Sequence, residues 1–192
     1  MKFSIIIPAY NAAGRIRKAL DSIAMQSFTD YELLVICDSC HDNTAKIASE
    51  YTQKVILVNN NHDGLTRNVG LDYASGDWVL FMDDDDWWIH DHVLETINEH
   101  LSDDIDVLRF GFFWQNNGGD TKPGPWVAVW NKCWRRSFID DTRFSDRPKW
   151  SDLDFNSGMI GKNPRIADLD EILYYYNYMR EGSISWKHYH GI

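Results

Sequence analysis

The chain has 192 residues, enough for one domain with a sizeable hydrophobic core, and its 29 acidic and 19 basic side chains give a net charge of −10. This balance, with a pI near 5.0, predicts no nucleic-acid partner and no electrostatic attachment to an anionic membrane. Three cysteines, an odd number, favour reduced thiols over a disulfide framework.

No apolar run approaches the roughly 18 residues of a membrane-spanning helix, and the first apolar stretch is too short for a secretory signal. We therefore expect a cytoplasmic protein that reaches the inner face of the cell membrane only through a partner. No feature of the sequence predicts an oligomeric state.

Apolar segments alternate with amphipathic segments through the first half of the chain. Strand patterns occur at residues 3–7, 31–37, 55–58 and 78–82, and helical patterns between them at 16–24, 43–51 and 65–74. This alternation predicts an α/β fold with a mostly parallel, Rossmann-like sheet flanked by helices.

Polar side chains follow each of the four predicted strands, at the edge of a parallel sheet where ligands bind. They are Tyr10 with Asn11, Asp38 with Ser39, Asn59 to Asn61, and Asp83 to Asp86. Two carboxylates about 4 Å apart repel by roughly 4 kcal/mol near a protein surface, so four in a row favour a bound cation. Carboxylates select Mg²⁺ or Mn²⁺, and a diphosphate commonly shares such an ion. The alternative is a solvated acidic turn in which Asp86 caps the next helix.

The second half of the chain is less regular. Helical and strand patterns occur at residues 93–101, 107–114 and 173–178, with a Gly- and Pro-rich loop at 115–126. A general base is expected at Asp152 or Asp154, and the sequence spacing leaves that choice open. Arg67 is a candidate phosphate partner. His188 or His190 is a possible third metal ligand, although a frayed terminus explains both.

Seven segments together resemble glycosyltransferase family 2, in order along nearly the whole chain. They are residues 5–11 (IIIPAYN), 34–44 (LVICDSCHDNT), 64–70 (GLTRNVG), 76–87 (GDWVLFMDDDDW), 130–135 (WNKCWR), 150–155 (WSDLDF) and 174–185 (YYYNYMREGSIS). The last three are similar to motifs of bacterial surface-polysaccharide transferases. The resemblance implies a GT-A fold and an inverting, metal-dependent transferase that uses Mn²⁺ or Mg²⁺.

The resemblance also assigns roles to individual residues. It implies that Asp152 is the catalytic base, that Asp83 lies near the ribose, and that Asp85 holds the metal, with Asp83 and Asp86 as further metal ligands. It implies nucleotide contacts from Pro8, Tyr10, Asn11, Asp38, Arg67, Asp83, Arg180 and Ser183. Two positions depart from the family pattern: Cys37 replaces an acid in V-D-D-G-S, and Ser151 stands where a Glu usually precedes the base.

The implied reaction is transfer of a sugar from a nucleotide-diphosphate donor, a UDP-sugar, to a hydroxyl of a glycan or lipid-linked glycan. We expect a single domain, with residues 1–100 binding the nucleotide and residues 101–192 supplying the acceptor side and the base. One alternative is a non-catalytic nucleotide-sugar-binding subunit. The other is a sugar nucleotidyltransferase, although PAYNAAGR is a poor version of the triphosphate loop that such enzymes carry.

Overall fold

The computed structural model describes residues 1–114, 119–121, 128–147, 149–178 and 180–191. Within these ranges a mixed sheet of nine strands is flanked by helices. The strands are β1 (Phe3–Ala9), β2 (Tyr31–Asp38), β3 (Val55–Val58), β4 (Trp78–Phe81), β5 (Trp87–Trp88), β6 (Val107–Trp114), β7 (Gly119–Thr121), β8 (Lys132–Arg135) and β9 (Ile166–Tyr176). The helices are α1 (Ile16–Ala24), α2 (Thr44–Ala48), α3 (Asp63–Tyr73), α4 (Val93–Glu99), α5 (Arg136–Ile139), α6 (Ser151–Gly161) and α7 (Ile184–His190).

The first four strands form the parallel half of the sheet in the order β3-β2-β1-β4. Phe3 pairs with both Tyr31 and Trp78, so the strands start level and their carboxyl ends meet at one edge. Strands β1, β2 and β4 are buried on both faces, which explains their continuous apolar runs. The prediction of an α/β fold is confirmed, with a sheet that is parallel in this half and mixed as a whole.

Helix α3 packs tightly against this half of the sheet. A Cβ atom at Gly70 would collide with the side chain of Ile6, so only a glycine lets the helix approach β1 this closely. This packing fixes the height of the first turn of α3 above the sheet edge. The functional residues of that turn, described below, depend on it.

The rest of the sheet mixes directions and extends the order to β4-β8-β6-β9-β5. Strand β8 is antiparallel to β4 and β6, β6 and β9 are parallel, and the short β5 is antiparallel to β9. The pairing of Trp87 with Tyr175 ties the end of the acidic turn to β9. The sequence did not predict β5, β8 or the first part of β9, because β5 has two residues and Lys132 interrupts the apolar pattern of β8.

Two further expectations concern the loop at 115–126 and membrane-spanning segments. Residues 115–118 and 122–126 of the predicted loop lie outside the described residues, while Gly119–Thr121 forms β7 and pairs with β6. Across the described ranges, no helix combines the length and the hydropathy needed to cross a membrane.

Candidate active site

Four consecutive aspartates form the turn between β4 and β5, and each carboxylate has a different partner. Asp83 accepts a hydrogen bond from Arg67 at 2.6 Å, Asp84 from Arg15 at 2.6 and 2.8 Å, Asp85 from Arg180 at 2.6 Å, and Asp86 from the hydroxyl of Tyr174 at 2.6 Å. Three separate arginines therefore offset the mutual repulsion of the turn. This arrangement excludes a purely solvated acidic turn.

Asp86 is an anchor of the turn. Its side chain is fully buried, and its second oxygen accepts a hydrogen bond from the backbone N–H of Asn177 at 2.8 Å. Both oxygens of Asp86 are thus bonded within the protein, and its role as a metal ligand stays a prediction. The alternative role as a helix cap is wrong, because α4 begins only at Val93.

Arg67 links the acidic turn to the predicted base. It is almost fully buried, and its Nη2 donates to Asp83 while its Nη1 lies 3.6 Å from Oδ1 of Asp152. Asp152 lies in the first turn of α6, whereas Asp154 two residues later bonds Ser145 and Arg147 away from this cluster. Of the two candidates that the spacing left open, the structure brings Asp152 to the acidic edge.

The carboxyl group of Asp152 is held in a form suited to proton transfer. Its side chain is 25% exposed, yet Oδ1 is buried and accepts no hydrogen bond. Burial raises the pKa of Asp152 to about 6, with the nearby Asp83 acting in the same direction and Arg67 opposing it. A base with a pKa close to the working pH both accepts a proton and releases it readily.

Asp38 is occupied by contacts within the protein. Its two oxygens accept hydrogen bonds from the backbone N–H groups of Asn60, Asn61 and His62, at 2.8 to 3.0 Å, and from the hydroxyl of Thr66 at 2.8 Å. Burial alone would raise the pKa of Asp38, but these donors lower it overall. Asp38 therefore shapes the loop between β3 and α3, and its predicted nucleobase contact stays a prediction.

The other predicted nucleotide residues surround this edge in two groups. Pro8 lies in β1, and the turn after that strand places Tyr10, whose side chain is 55% exposed, beside Asn11 with a left-handed backbone (φ 43°). The side-chain oxygen of Asn11 accepts a hydrogen bond from the backbone N–H of His41 at 2.8 Å, which holds the loop between β2 and α2. An exposed aromatic ring at the end of a central strand is well placed to stack on a nucleobase.

The second group comes from the end of the chain. Arg180 bonds Asp85 directly, and the hydroxyl of Ser183 accepts a hydrogen bond from the backbone N–H of Trp186 at 3.1 Å at the start of α7. The ring of His190 bonds the carbonyl oxygen of Trp186 at 2.8 Å, one turn earlier. This bond occupies Nδ1 of His190 inside α7. The side chain of His188 lies outside the described residues.

Three site residues were missed by the sequence reasoning. Arg15 neutralises Asp84, Asp63 bonds Arg67 at 2.9 Å, and Lys132 is buried with its ammonium group on Asn131 and on the carbonyl oxygen of Ala128. Burial lowers the pKa of Lys132 to about 7. The signal for Asp63 was the i, i+4 spacing to Arg67. Arg15 gave no comparable signal, since its partner is set by the tertiary fold, whereas Lys132 lies in the WNKCWR segment but was given no role of its own.

The donor set at this edge suits a hard divalent cation. Asp83 and Asp85 each have one oxygen bonded to an arginine, and no described group of three or more His, Cys, Asp or Glu side chains forms a closed metal site. Mg²⁺ and Mn²⁺ are commonly held by one or two carboxylates together with substrate phosphates. The residues fit an ion that is completed by a diphosphate.

The amino-acid sequence of the chain is similar to those of known glycosyltransferases. The sequence profile of the family described as "Glycosyl transferase family 2" matches residues 4–162. The chain is 39% identical over 213 residues to the poly(ribitol-phosphate) beta-N-acetylglucosaminyltransferase TarS of Staphylococcus aureus (95% of this chain, 36% of the relative). It is 26% identical over 220 residues to glycosyltransferase GlyA of Streptococcus pneumoniae (96% and 31%). The chain thus spans about a third of the length of these relatives.

Solved structures give the same result for the fold. The superposition on residues 1–349 of S. aureus TarS in complex with UDP has a TM-score of 0.80 at 26% identity, covering 92% of this chain and 60% of that one. The complex of the same TarS fragment with UDP-GlcNAc gives 0.82 at 28% identity, covering 97% and 61%. The fold of the chain is therefore that of the GT-A class. The chain belongs to glycosyltransferase family 2, which confirms the resemblance.

Proposed function

We propose that this chain is the donor-binding and catalytic domain of an inverting glycosyltransferase that acts in bacterial surface-glycan synthesis. The observation that carries the proposal is the position of Asp152, a carboxyl group with a pKa of about 6, across Arg67 from the first aspartate of the acidic turn. That arrangement brings a proton acceptor next to the donor side of the site. The similarity to TarS, crystallised with UDP and UDP-GlcNAc, supports a UDP-sugar as donor.

In the proposed reaction Asp152 removes the proton from an acceptor hydroxyl. The resulting oxygen attacks the anomeric carbon, and the bond from that carbon to the diphosphate breaks on the opposite face, so the configuration inverts. Asp85, with Asp83, would hold Mn²⁺ or Mg²⁺, which supplies positive charge for the departing diphosphate. Arg180 bonds Asp85 at this edge of the sheet. Once a metal ion binds Asp85, the Arg180 guanidinium would be free to contact the diphosphate.

The two halves of the chain would divide the work. Residues 1–100 supply Tyr10, Arg67 and the acidic turn for the nucleotide, and residues 101–192 supply Asp152 and the acceptor side. The acceptor would be a hydroxyl of a glycan or lipid-linked glycan. The family match argues against the nucleotidyltransferase alternative.

Turnover measurements test this proposal. Purified protein with Mn²⁺ should release UDP from one member of a panel of UDP-sugars, and Asp152→Asn should lower that rate by about a thousandfold while UDP affinity changes less than about twofold. Asp154→Asn, two residues away on the same helix, is the matched control and should retain turnover. Absence of UDP release from every donor, with or without added glycan acceptors, would favour the non-catalytic binding subunit.

A further inference from the structure

Asp63 is a carboxylate at the centre of the site that the proposed reaction leaves without a role. Its Oδ2 accepts a hydrogen bond from Nη1 of Arg67 at 2.9 Å, and the hydroxyl of Ser151 donates to the same oxygen at 3.5 Å. Nη1 of Arg67 is also the atom that lies 3.6 Å from Oδ1 of Asp152. Asp63 and Asp152 therefore compete for one nitrogen, and the shorter distance belongs to Asp63.

Two small residues make this geometry possible. A Cβ atom on Gly64 would lie 2.8 Å from Cβ of Ser151 and 2.9 Å from the carbonyl oxygen of Ser145, closer than real side chains approach. The first turn of α3 thus rests directly on the first turn of α6. The close approach places Asp63 against Ser151, the position where family members usually carry a Glu before the base.

We propose that Asp63 is a positioning residue for the base: its carboxylate holds Arg67 off Asp152 and, with Ser151, takes the place of that Glu. The inference rests on the proposed function, since Asp152 has to act as a base for its surroundings to matter. The same contacts explain how the chain tolerates Ser151 in place of the usual Glu. In this chain the carboxylate beside Arg67 comes from α3, while α6 supplies only the Ser151 hydroxyl.

The reason lies in what Arg67 does when Asp63 is absent. The buried Oδ1 of Asp152 accepts no hydrogen bond, so no donor at that oxygen lowers the basicity of the partly exposed carboxylate. Without Asp63 the Nη1 atom of Arg67, already 3.6 Å from Asp152, is free to form a direct hydrogen bond to it, and that bond would make the Asp152 carboxylate a poorer base. A Glu at position 151 extends two bonds beyond a serine hydroxyl and reaches the region that the Asp63 carboxylate occupies now.

Kinetics of three variants test the proposal. Asp63→Ala should lower kcat by about tenfold with little change in the KM for the donor or in UDP affinity. Asp72→Ala is the matched control, because Asp72 lies on the same helix and pairs with Arg143 at the exposed surface, 2.9 Å away. Adding Ser151→Glu to Asp63→Ala should restore most of kcat, which recovery of packing alone would not do. Equal kcat in Asp63→Ala and wild type would overturn the inference.

A crystal structure of Asp63→Ala gives a result that does not depend on turnover. We expect the Arg67 guanidinium within hydrogen-bond distance of Oδ1 of Asp152; an unmoved pair would overturn the inference. If Asp63→Ala does not fold, as judged by thermal unfolding, Asp63→Asn is used with the same expectations, since a neutral amide holds the guanidinium less strongly. A wild-type protein that releases no UDP would contradict the proposed function, while the crystal structure still decides the contact.

Discussion

Glu32 at the amino end of the parallel strands and two aspartates at the carboxyl end are held in opposite electrostatic conditions. At the amino end, buried Glu32 accepts hydrogen bonds from Ser4 at 2.5 Å and from the backbone of Ser75 at 2.7 Å, and it pairs with Lys54. Burial alone would raise the pKa of Glu32, but these partners, with Lys54 foremost, lower it to about 2. At the carboxyl end, burial raises the pKa of both Asp84 and Asp152 to about 6 in spite of nearby arginines.

The difference separates a stabilising role from a functional one. A carboxylate with a lowered pKa stabilises the folded state at neutral pH, whereas one with a raised pKa destabilises it. The amino end is therefore fully satisfied within the protein. The carboxyl end keeps charges that a cation or substrate would satisfy better, as is common at functional sites.

Among the effects on binding and stability, the largest is expected for metal-dependent binding at the carboxyl end. Asp85→Ala should weaken UDP binding in Mn²⁺ by about a hundredfold, because the metal loses its principal carboxylate. Calorimetric titration would measure this, with Asp91→Ala, an exposed carboxylate beyond β5, as the control. Wild-type affinity in Asp85→Ala would remove Asp85 from the site.

A substitution at the amino end should change the stability of the protein and leave UDP binding unchanged. Glu32→Gln should lower the unfolding free energy at pH 7 by about 2 kcal/mol, because the ionised form is the one its partners favour. Since the folded pKa of Glu32 is lowered, its contribution is present above the unfolded value near about 4.3 and is lost as the pH falls towards about 2. Urea unfolding at pH 7 and pH 3 would check this. A parallel loss of UDP binding would contradict the separation of roles.

The smallest effect is a gain in stability at the carboxyl end. Asp152→Asn should raise the unfolding free energy at pH 7 by about 1 kcal/mol, because it removes a buried charge whose folded pKa is about 6. The folded protein binds this proton more tightly than the unfolded chain, so wild type loses stability as the pH rises from about 4 to about 6. Urea unfolding measured from about pH 4 to about pH 6 should show no such loss of unfolding free energy in Asp152→Asn. A less stable variant at pH 7 would show that Asp152 stabilises the fold.

The fold of the parallel half was predictable because its strands are continuous apolar runs separated by amphipathic helices. The sheet edge that gathers the polar residues followed from the same pattern. The second half resisted prediction for a physical reason: β8 contains the buried Lys132, whose partners belong to the chain segment just before it and appear only after folding.

Within the site, the resemblance to the family pointed to Asp152, while spacing alone did not separate it from Asp154. Asp86 is predicted as a ligand because it continues a run of aspartates, and that run gives no sign of its contact with Tyr174, 88 residues later in the chain. The role of Asp63 depends on how closely α3 approaches α6. Such long-range contacts are set by packing, which local patterns do not encode.

The most direct test of the central claim is calorimetric titration of the wild-type protein with UDP, once in Mn²⁺ and once in EDTA, with GDP and TDP as comparisons. The account predicts binding of UDP that is strong in Mn²⁺ and weak in EDTA, and weaker binding of the other two diphosphates. Equal binding in EDTA, or no binding of any diphosphate, would contradict a metal-dependent UDP-sugar site at the carboxyl end of the sheet.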